Sequence, residues 1–576
     1  MPVHDEDLAE AFDEMADLLA LKAENPFRIN AYRRAAQVVR ALPEELQSKI
    51  AAGFDPDALP GIGADLAEKI RVFVRTGELP GLASLRRSVP AGLREIMNIQ
   101  NLGPKRARAL YDALGVCDLK TLKTALAEHR VREVRGFGAK MEERLTKAVE
   151  EIEGRSRRLL RSVAAQYAKA LESYLRALPG VTKVDIAGSF RRGCETVGDL
   201  DFLVCSQRPL DIGGALLEYD ETASLLAKGP TRSAAVLKSG LQVDVRLVPE
   251  ESYGAALYYF TGSKAHNVHV RRLAMARGLK MNEYGVFRGR KRIAGDTEPS
   301  VFAAIGLPYI APELREDRGE IEAAQAQALP IPVARSDLRG DLHVHTKATD
   351  GAAGLAAMAE AAKSAGLEYI AITDHSKHLG MVRGLDASRL ARQMDDIDAL
   401  NAALDGVTVL KGIEVDILQE GSLALPDRVL KKLDVVVASV HDYFGLNRRK
   451  QTERLLRAID RPYVSVLGHP MCRLIQERPA IECDWEKVFR RAHERPIYLE
   501  LNSQPTRLDL NDVLVREAAA NDVLISIASD GHSISSFDFL AGGVLQARRG
   551  WLSKNQVLNT RPLCELRRLL RKTFLA

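Results

Sequence analysis

Two groups of side chains in this 576-residue chain have types and spacings suited to metal-assisted phosphoryl chemistry. The first runs Gly188-Ser189-Phe190-Arg191-Arg192-Gly193-Cys194-Glu195-Thr196-Val197-Gly198-Asp199-Leu200-Asp201 and is followed by Gln242-Val243-Asp244-Val245-Arg246. Residues i and i+2 of a strand face the same side, so Asp199 and Asp201 present two carboxylates together. Asp244, on a second strand, can complete the cluster. Three hard oxygen ligands suit a pair of Mg²⁺ or Mn²⁺ ions that also bind triphosphate oxygens and a primer 3′-hydroxyl. Gly188-Ser189 can approach a phosphate closely, and an arginine of the Arg191-Arg192 pair can neutralise its charge. Exposed strand-end carboxylates that never meet a metal are the bland alternative. The run of features outweighs it, yet it fits any nucleotidyltransferase, including those acting on RNA ends or antibiotics.

The second group is Asp341-Leu342-His343-Val344-His345-Thr346, then Asp350, Thr373-Asp374-His375, Glu414, His441, Gly468-His469-Pro470 and Ser529-Asp530-Gly531-His532. His343 and His345 share one face of a strand, as metal ligands two apart should. A lone histidine is more often structural, but His343, His345, Asp350, His375, Glu414, His441, His469, Asp530 and His532 recur at successive predicted strand ends. That set exceeds the about four ligands of a zinc site or six of Mn²⁺, so two or three Mn²⁺ or Zn²⁺ ions are implied. Closely spaced metals activate water near neutral pH and clamp a phosphoester, which points to phosphodiester hydrolysis. His378 and His493 fall outside this pattern and are read as surface or supporting residues.

A third feature is repeated. Leu59-Pro60-Gly61-Ile62-Gly63-Ala64-Asp65-Leu66-Ala67-Glu68-Lys69-Ile70 reads as a turn feeding a helix, and Ile99-Gln100-Asn101-Leu102-Gly103-Pro104-Lys105-Arg106-Ala107 repeats the plan. Val134-Arg135-Gly136-Phe137-Gly138-Ala139-Lys140 offers a third copy. Glycines before a helix leave backbone N–H groups free to face a phosphate, aided by the helix dipole. Such hairpins hold the nucleic-acid backbone without reading sequence. Glycines that merely cap helices are the alternative for any one copy; repetition argues against it.

The elements that must position these residues divide along the chain. Residues 5–150 show helical periodicity broken by short glycine turns. From about residue 181 short β-rich runs appear, Val181–Ala187, Asp199–Val204 and Leu241–Val248, after a basic helical stretch around 155–178. Between Leu314 and Leu338 the composition turns acidic, then Ala/Gln-rich, then Pro-containing, as an interdomain linker would. Beyond it, apolar strands alternate with amphipathic helices, the strands ending near His343, Asp374, Glu414, His441, His469, Asn502 and Asp530. That alternation predicts a (β/α)7-type barrel with its working residues at the carboxyl ends of the strands. The expected boundaries are 1–85 and 86–150 for two helical domains, 151–252 and 253–318 for an α/β catalytic pair, 319–337 for the linker and 338–576 for the barrel.

The first hairpin, together with Asn25-Pro26-Phe27-Arg28-Ile29-Asn30-Ala31-Tyr32-Arg33-Arg34-Ala35-Ala36, resembles the deoxyribose-phosphate lyase domain of polymerase beta. The resemblance places Lys69 at the Schiff-base position and Arg28 at a 5′-phosphate contact; the repeated hairpins themselves put Gly61, Gly63, Gly103 and Lys105 on the DNA backbone. Asp65 departs from the pattern, standing where the relative has another phosphate-binding lysine. Tyr259-Phe260-Thr261-Gly262-Ser263-Lys264-Ala265-His266-Asn267-Val268-His269-Val270-Arg271 resembles the family X segment lining the incoming nucleotide. It implies Tyr259, Phe260 and Asn267 beside the nucleotide, Arg271 near the template minor groove, and Gly188, Ser189, Arg192 and Gly198 on the triphosphate. Lys264 stands where polymerase beta has an aspartate. Residues 338–576 resemble the polymerase-and-histidinol-phosphatase (PHP) family, with every family ligand position filled. These resemblances together imply a bacterial-type family X polymerase joined to a PHP phosphoesterase. It would fill short gaps in primed or gapped double-stranded DNA from deoxynucleoside triphosphates, with 3′-end or abasic-site processing by the barrel.

Composition bounds this reading without making it. No run approaches the roughly 18 apolar residues of a membrane span, and no secretory signal opens the chain, so a cytoplasmic, monomeric protein is expected. The six cysteines contain no C-x-x-C pair, against a thiolate zinc site. A net charge of +5 alone proves no polyanionic partner. A DNA-end scaffold with two dead centres, and a small-molecule phosphatase fused to a polymerase, remain the competing readings.

Overall fold

The computed structural model describes residues 5–575 apart from 41, 43–45, 52, 60, 98, 100, 101, 155–157 and 379–381. Pro60, Gln100 and Asn101 of the hairpin motifs, and the start of the basic stretch at 155–157, therefore lie outside the described residues. The chain separates into two compact units, Met1–Arg158 and Leu159–Ala576.

Among its described residues the first unit is helical, with no strand. Its helices include Asp5–Leu21, Pro26–Arg40, Ala64–Thr76, Gly103–Leu114, Leu119–Ala127 and Ala139–Gly154. Local chemistry sets their ends. Asp118 accepts from the Thr121 N–H to cap the helix it precedes, and Gly77 ends Ala64–Thr76 in left-handed backbone at φ +73°. Their apolar stripes meet in one core that includes Phe12, Met15, Tyr32, Ile70, Leu110 and Leu122.

In the second unit the helix Arg161–Ala177 is followed by a five-stranded sheet of β1 (Val181–Ile186), β2 (Asp199–Ser206), β3 (Thr222–Lys228), β4 (Arg232–Leu237) and β5 (Gln242–Leu247) in the order β1-β2-β5-β4-β3. Period-two alternation is visible in β2, where Leu200, Phe202 and Val204 enter the core with Val243 and Val245. A second small core, with Tyr258, Val270, Phe302 and Ile305, joins the helices Tyr253–Thr261 and Lys264–Ala276 to a three-stranded antiparallel sheet over Lys280–Ala294.

The barrel strands are β6 (Gly340–Val344), β7 (Tyr369–Ile372), β8 (Thr408–Asp416), β9 (Val435–Ser439), β10 (Val466–Leu467), β11 (Tyr498–Asn502) and β12 (Ile525–Ala528). They lie in chain order, all parallel, and a bridge between Val344 and Gly531 nearly closes the ring. The last helix, Leu563–Leu575, sends Leu566 and Leu570 into a cluster with Leu342, Tyr369, Val435 and Tyr498. Tyr369, Val435 and Tyr498 begin their strands, so this plug seals the amino-terminal end and leaves the carboxyl end for chemistry.

The segment 319–337 differs from the free linker expected of it. It carries the helix Glu320–Gln325, whose Ile321 and Ala324 join the core of Phe302, while Val333 enters the barrel core. Glu320 is fully buried against His266, Oε1 to Nδ1 at 2.7 Å. Its composition marks a boundary, but these apolar side chains bury too much surface for a tether.

Candidate functional site

The parallel register of β2 and β5 sets Asp201 directly opposite Asp244, with Asp199 two residues earlier on β2. Burial raises the Asp201 carboxyl to about 7, and the charges of Asp199 and Asp244 add to the effect. Asp244 is buried and held by Arg232 at 2.7 Å and by Gln242 at 3.0 Å. Gly188 stands at φ +62°, where a Cβ would lie 2.4 Å from Asp201 Oδ2, so the turn at Gly188-Ser189 reaches the carboxylates only because residue 188 has no side chain. The structure thus brings together the three aspartates and the glycine turn. Like charges crowded in this way lose protons reluctantly unless a cation joins them, and the donor set of carboxylate oxygens fits Mg²⁺ or Mn²⁺.

The Arg191-Arg192 pair splits. Arg191 is a structural brace: its guanidinium donates to both Glu298 oxygens, at 2.8 and 2.6 Å, and to Thr261 Oγ1 at 2.7 Å. Arg192 donates to the Thr261 carbonyl at 2.6 Å and to Glu316 at 3.0 Å. Tyr259 and Phe260 sit edge to face, Arg271 lies over the Tyr259 ring at 5.9 Å, and Asn267 Nδ2 donates to the Tyr259 carbonyl at 2.7 Å. Lys264 is exposed at the first turn of its helix.

At the barrel mouth the nine predicted ligands converge. Glu414 is central: its oxygens lie 2.9 Å from His469 Nε2, 3.1 Å from His441 Nε2 and 3.5 Å from His343 Nε2. His345 Nε2 is 3.2 Å from Asp530, and Asp350 is 3.4 Å from both His375 Nε2 and His532 Nε2. His343 Nε2, both ring nitrogens of His345 and Glu414 Oε2 are buried without a hydrogen-bond partner. Buried polar atoms left orphaned while facing one another are aimed at something between them, and imidazole with carboxylate is the donor set of Zn²⁺ or Mn²⁺. Burial drives His345 down to about 4, reinforced by His532 and His375, whereas against the same burial Glu414 and Asp350 raise His375 to about 11. Asp530 and His469 hold left-handed backbone at φ +51° and +25°, a strain that the surrounding structure must enforce.

Three supporting carboxylates were not among the predicted site residues. Glu500 accepts from His343 Nδ1 at 2.9 Å and from the His469 N–H at 2.6 Å, and Asp416 pairs with His441 Nδ1 at 2.9 Å. Each turns its histidine's Nε2 inward. Asp374 gathers the Thr346 N–H at 2.8 Å and Gln393 at 2.6 Å, steadying the loop that carries Asp350. The available signal was spacing: Asp416 follows Glu414 by two on a strand, and Glu500 precedes Asn502 by two. His378 pairs with Asp442 at 3.0 Å outside the cluster, and His493 is exposed.

In the first unit Gly61 and Gly103 adopt φ +75° and +48°; the helix Ala64–Thr76 follows Gly61, and Gly103 opens the helix Gly103–Leu114. Gly63 precedes the first of these helices, and Lys105 and Arg28 are exposed. Lys69 is ion-paired to Asp65 one turn earlier on its own helix.

Fold and sites together define a nucleotidyltransferase palm fused to a barrel of phosphoesterase type. Family models agree along the chain: a helix-hairpin-helix domain over residues 4–79, a SAM-like helix-hairpin-helix tandem over 93–151, DNA polymerase beta palm over 158–228, DNA polymerase beta thumb over 256–316 and a PHP domain over 341–504. The chain is 35% identical over 574 residues to a Bacillus subtilis (strain 168) protein named DNA polymerase/3'-5' exonuclease PolX, covering 99% of this chain and 100% of that one. It is also 29% identical over 231 residues to a probable phosphatase of Thermoanaerobacter sp. (strain X514), covering 38% of this chain and 89% of the other. The chain belongs to the family X DNA polymerases that carry a C-terminal PHP domain. No described helix is long and apolar enough to cross a membrane.

Proposed function

We propose that this chain fills short gaps in DNA during repair and trims DNA 3′ ends with its barrel. The observation that carries the reading is the presence of two separate convergent clusters, an aspartate trio beside a glycine turn and an imidazole-carboxylate ring at a barrel mouth. The full-length similarity to a polymerase and 3'-5' exonuclease supports both halves.

In the palm, Asp199, Asp201 and Asp244 would hold Mg²⁺ or Mn²⁺, Gly188, Ser189, Arg192 and Gly198 take the triphosphate, and Tyr259, Phe260 and Asn267 line the nucleotide. A bound divalent ion would supply charge compensation for the phosphates and an easier ionisation of the primer hydroxyl. In the barrel, the nine ligands would hold two or three Mn²⁺ or Zn²⁺ ions, whose contribution would be to activate water toward a phosphodiester. Glu500 and Asp416 keep His343 and His441 oriented. The hairpin glycines, Lys105, Arg28 and Arg271 hold the DNA.

One labelled gapped substrate tests both halves. Asp244→Ala should abolish extension while leaving 3′-end hydrolysis intact, and His343→Ala should do the reverse. Degradation of DNA 3′ ends at the wild-type rate by metal-reloaded His343→Ala would remove the nuclease from the barrel. Hydrolysis of free phosphomonoesters but not DNA would instead favour the small-molecule reading suggested by the phosphatase relatives.

A further inference from the structure

The segment from Gly188 to Asp199, which holds the candidate triphosphate contacts, rests against the barrel at three points. Gly193, at φ +71°, lies so close to Leu545 that a Cβ would stand 2.5 Å from Leu545 Cγ. Glu195 accepts from both terminal nitrogens of Arg473, at 2.6 and 3.1 Å, and Arg473 is itself held by the carbonyls of Arg507 and Leu508. The third contact is Arg549, the last residue of the barrel helix Leu540–Arg549, which donates to the Arg192 carbonyl and to Glu316 Oε1, each at 2.9 Å. Its other terminal nitrogen donates to Asp512 at 2.9 Å.

Glu316 is the shared element. The same Oε1 that accepts from Arg549 accepts from Arg192 Nε at 3.0 Å, and the Arg549 side chain is only 8% exposed. Arg192 is thus tethered through its backbone and its guanidinium to one barrel arginine. With Nε and Nη1 engaged, its Nη2 makes only a weak sulfur contact with Cys194 at 3.9 Å, leaving a fixed donor for a phosphate. A guanidinium held by a fork loses less freedom on binding an anion than one that is free.

We propose that Arg549, a residue of the phosphoesterase barrel, is a positioning residue for nucleotide binding by the polymerase, acting through Glu316 and the Arg192 backbone. The proposal rests on the reading of Arg192 as a triphosphate contact.

Steady-state gap filling with the full-length protein tests it, reading KM for the nucleotide and kcat separately. Arg549→Met should raise KM about tenfold, the loss typical of a charge-assisted hydrogen bond, with a smaller change in kcat and unchanged 3′-end hydrolysis. The double variant with Arg192→Ala should be no worse in KM than Arg192→Ala alone. Arg548→Met serves as the control, because the neighbouring Arg548 pairs with Glu313 at 2.8 Å and does not touch Arg192. If Arg549→Met is too unstable, Arg549→Lys decides, since one ammonium cannot span two carboxylates and a carbonyl; its KM should also rise. An unchanged KM in Arg192→Ala overturns the nucleotide role of Arg192. A raised KM there, with wild-type KM in a folded Arg549 variant, overturns the positioning role alone.

Discussion

Single residues here are tuned by crowding as much as by burial. Asp201 is raised to about 7 because its carboxylate is desolvated and shares its site with Asp199 and Asp244. A carboxyl raised in the folded state binds its proton more tightly there than in the unfolded chain. Its ionisation therefore erodes stability as pH climbs from the ordinary aspartate range to about 7, and the penalty is constant above that. A cation entering the site displaces the same proton. Apparent Mg²⁺ affinity at the palm should rise by up to about tenfold per pH unit below 7 and level off above it. Calorimetric titrations of Mg²⁺ at pH 6, 7 and 8 measure this, and a flat profile would show that Asp201 is ionised without the metal.

At the scale of the element, the hairpin-helix shows what a local departure does. On Ala64–Thr76 the Asp65 carboxylate sits one turn before Lys69 and pairs with it, where the resemblance calls for another cation. The pair holds the Lys69 side chain against its own helix, and the Asp65 carboxylate stands where an incoming 5′-phosphate would be repelled. Borohydride trapping on an incised abasic end should accordingly be weak in the native chain, lost in Lys69→Ala and several-fold stronger in Asp65→Asn. Equal trapping in native chain and Lys69→Ala would assign the adduct to another amine. Among the strands, legibility was uneven. The barrel elements were legible from apolar runs ending in histidine or carboxylate, whereas β3, β4 and the three-stranded sheet over Lys280–Ala294 were not anticipated. β3 has most of its residues exposed, so its side chains carry little inward signal.

For the whole molecule, palm, thumb and barrel form one compact unit from Leu159 onward. The segment whose composition suggests a tether is packed, with Arg318 paired to Asp512 at 3.0 Å and Arg335 donating to the Ala365 carbonyl at 3.1 Å. Trypsin under native conditions should spare the bonds after Arg318 and Arg335, and thermal melting should show palm and barrel unfolding together. Fragments ending at either arginine, identified by mass spectrometry before global unfolding, would show the segment to be loose.

What the sequence determined by itself was the chemistry on offer: the D-x-D pair, the later aspartate, the histidines at strand ends and the glycine turns are all short-range patterns, set by periodicity and residue type. Tertiary structure alone decided which partner each group takes. Whether Arg191 or Arg192 is free for a phosphate depends on Glu298, 107 positions away from Arg191. That Glu500 orients His343 depends on strands 157 residues apart meeting in one ring. No window of sequence contains such pairs, because closure of the barrel and its seating on the palm bring them together only after long loops have been closed.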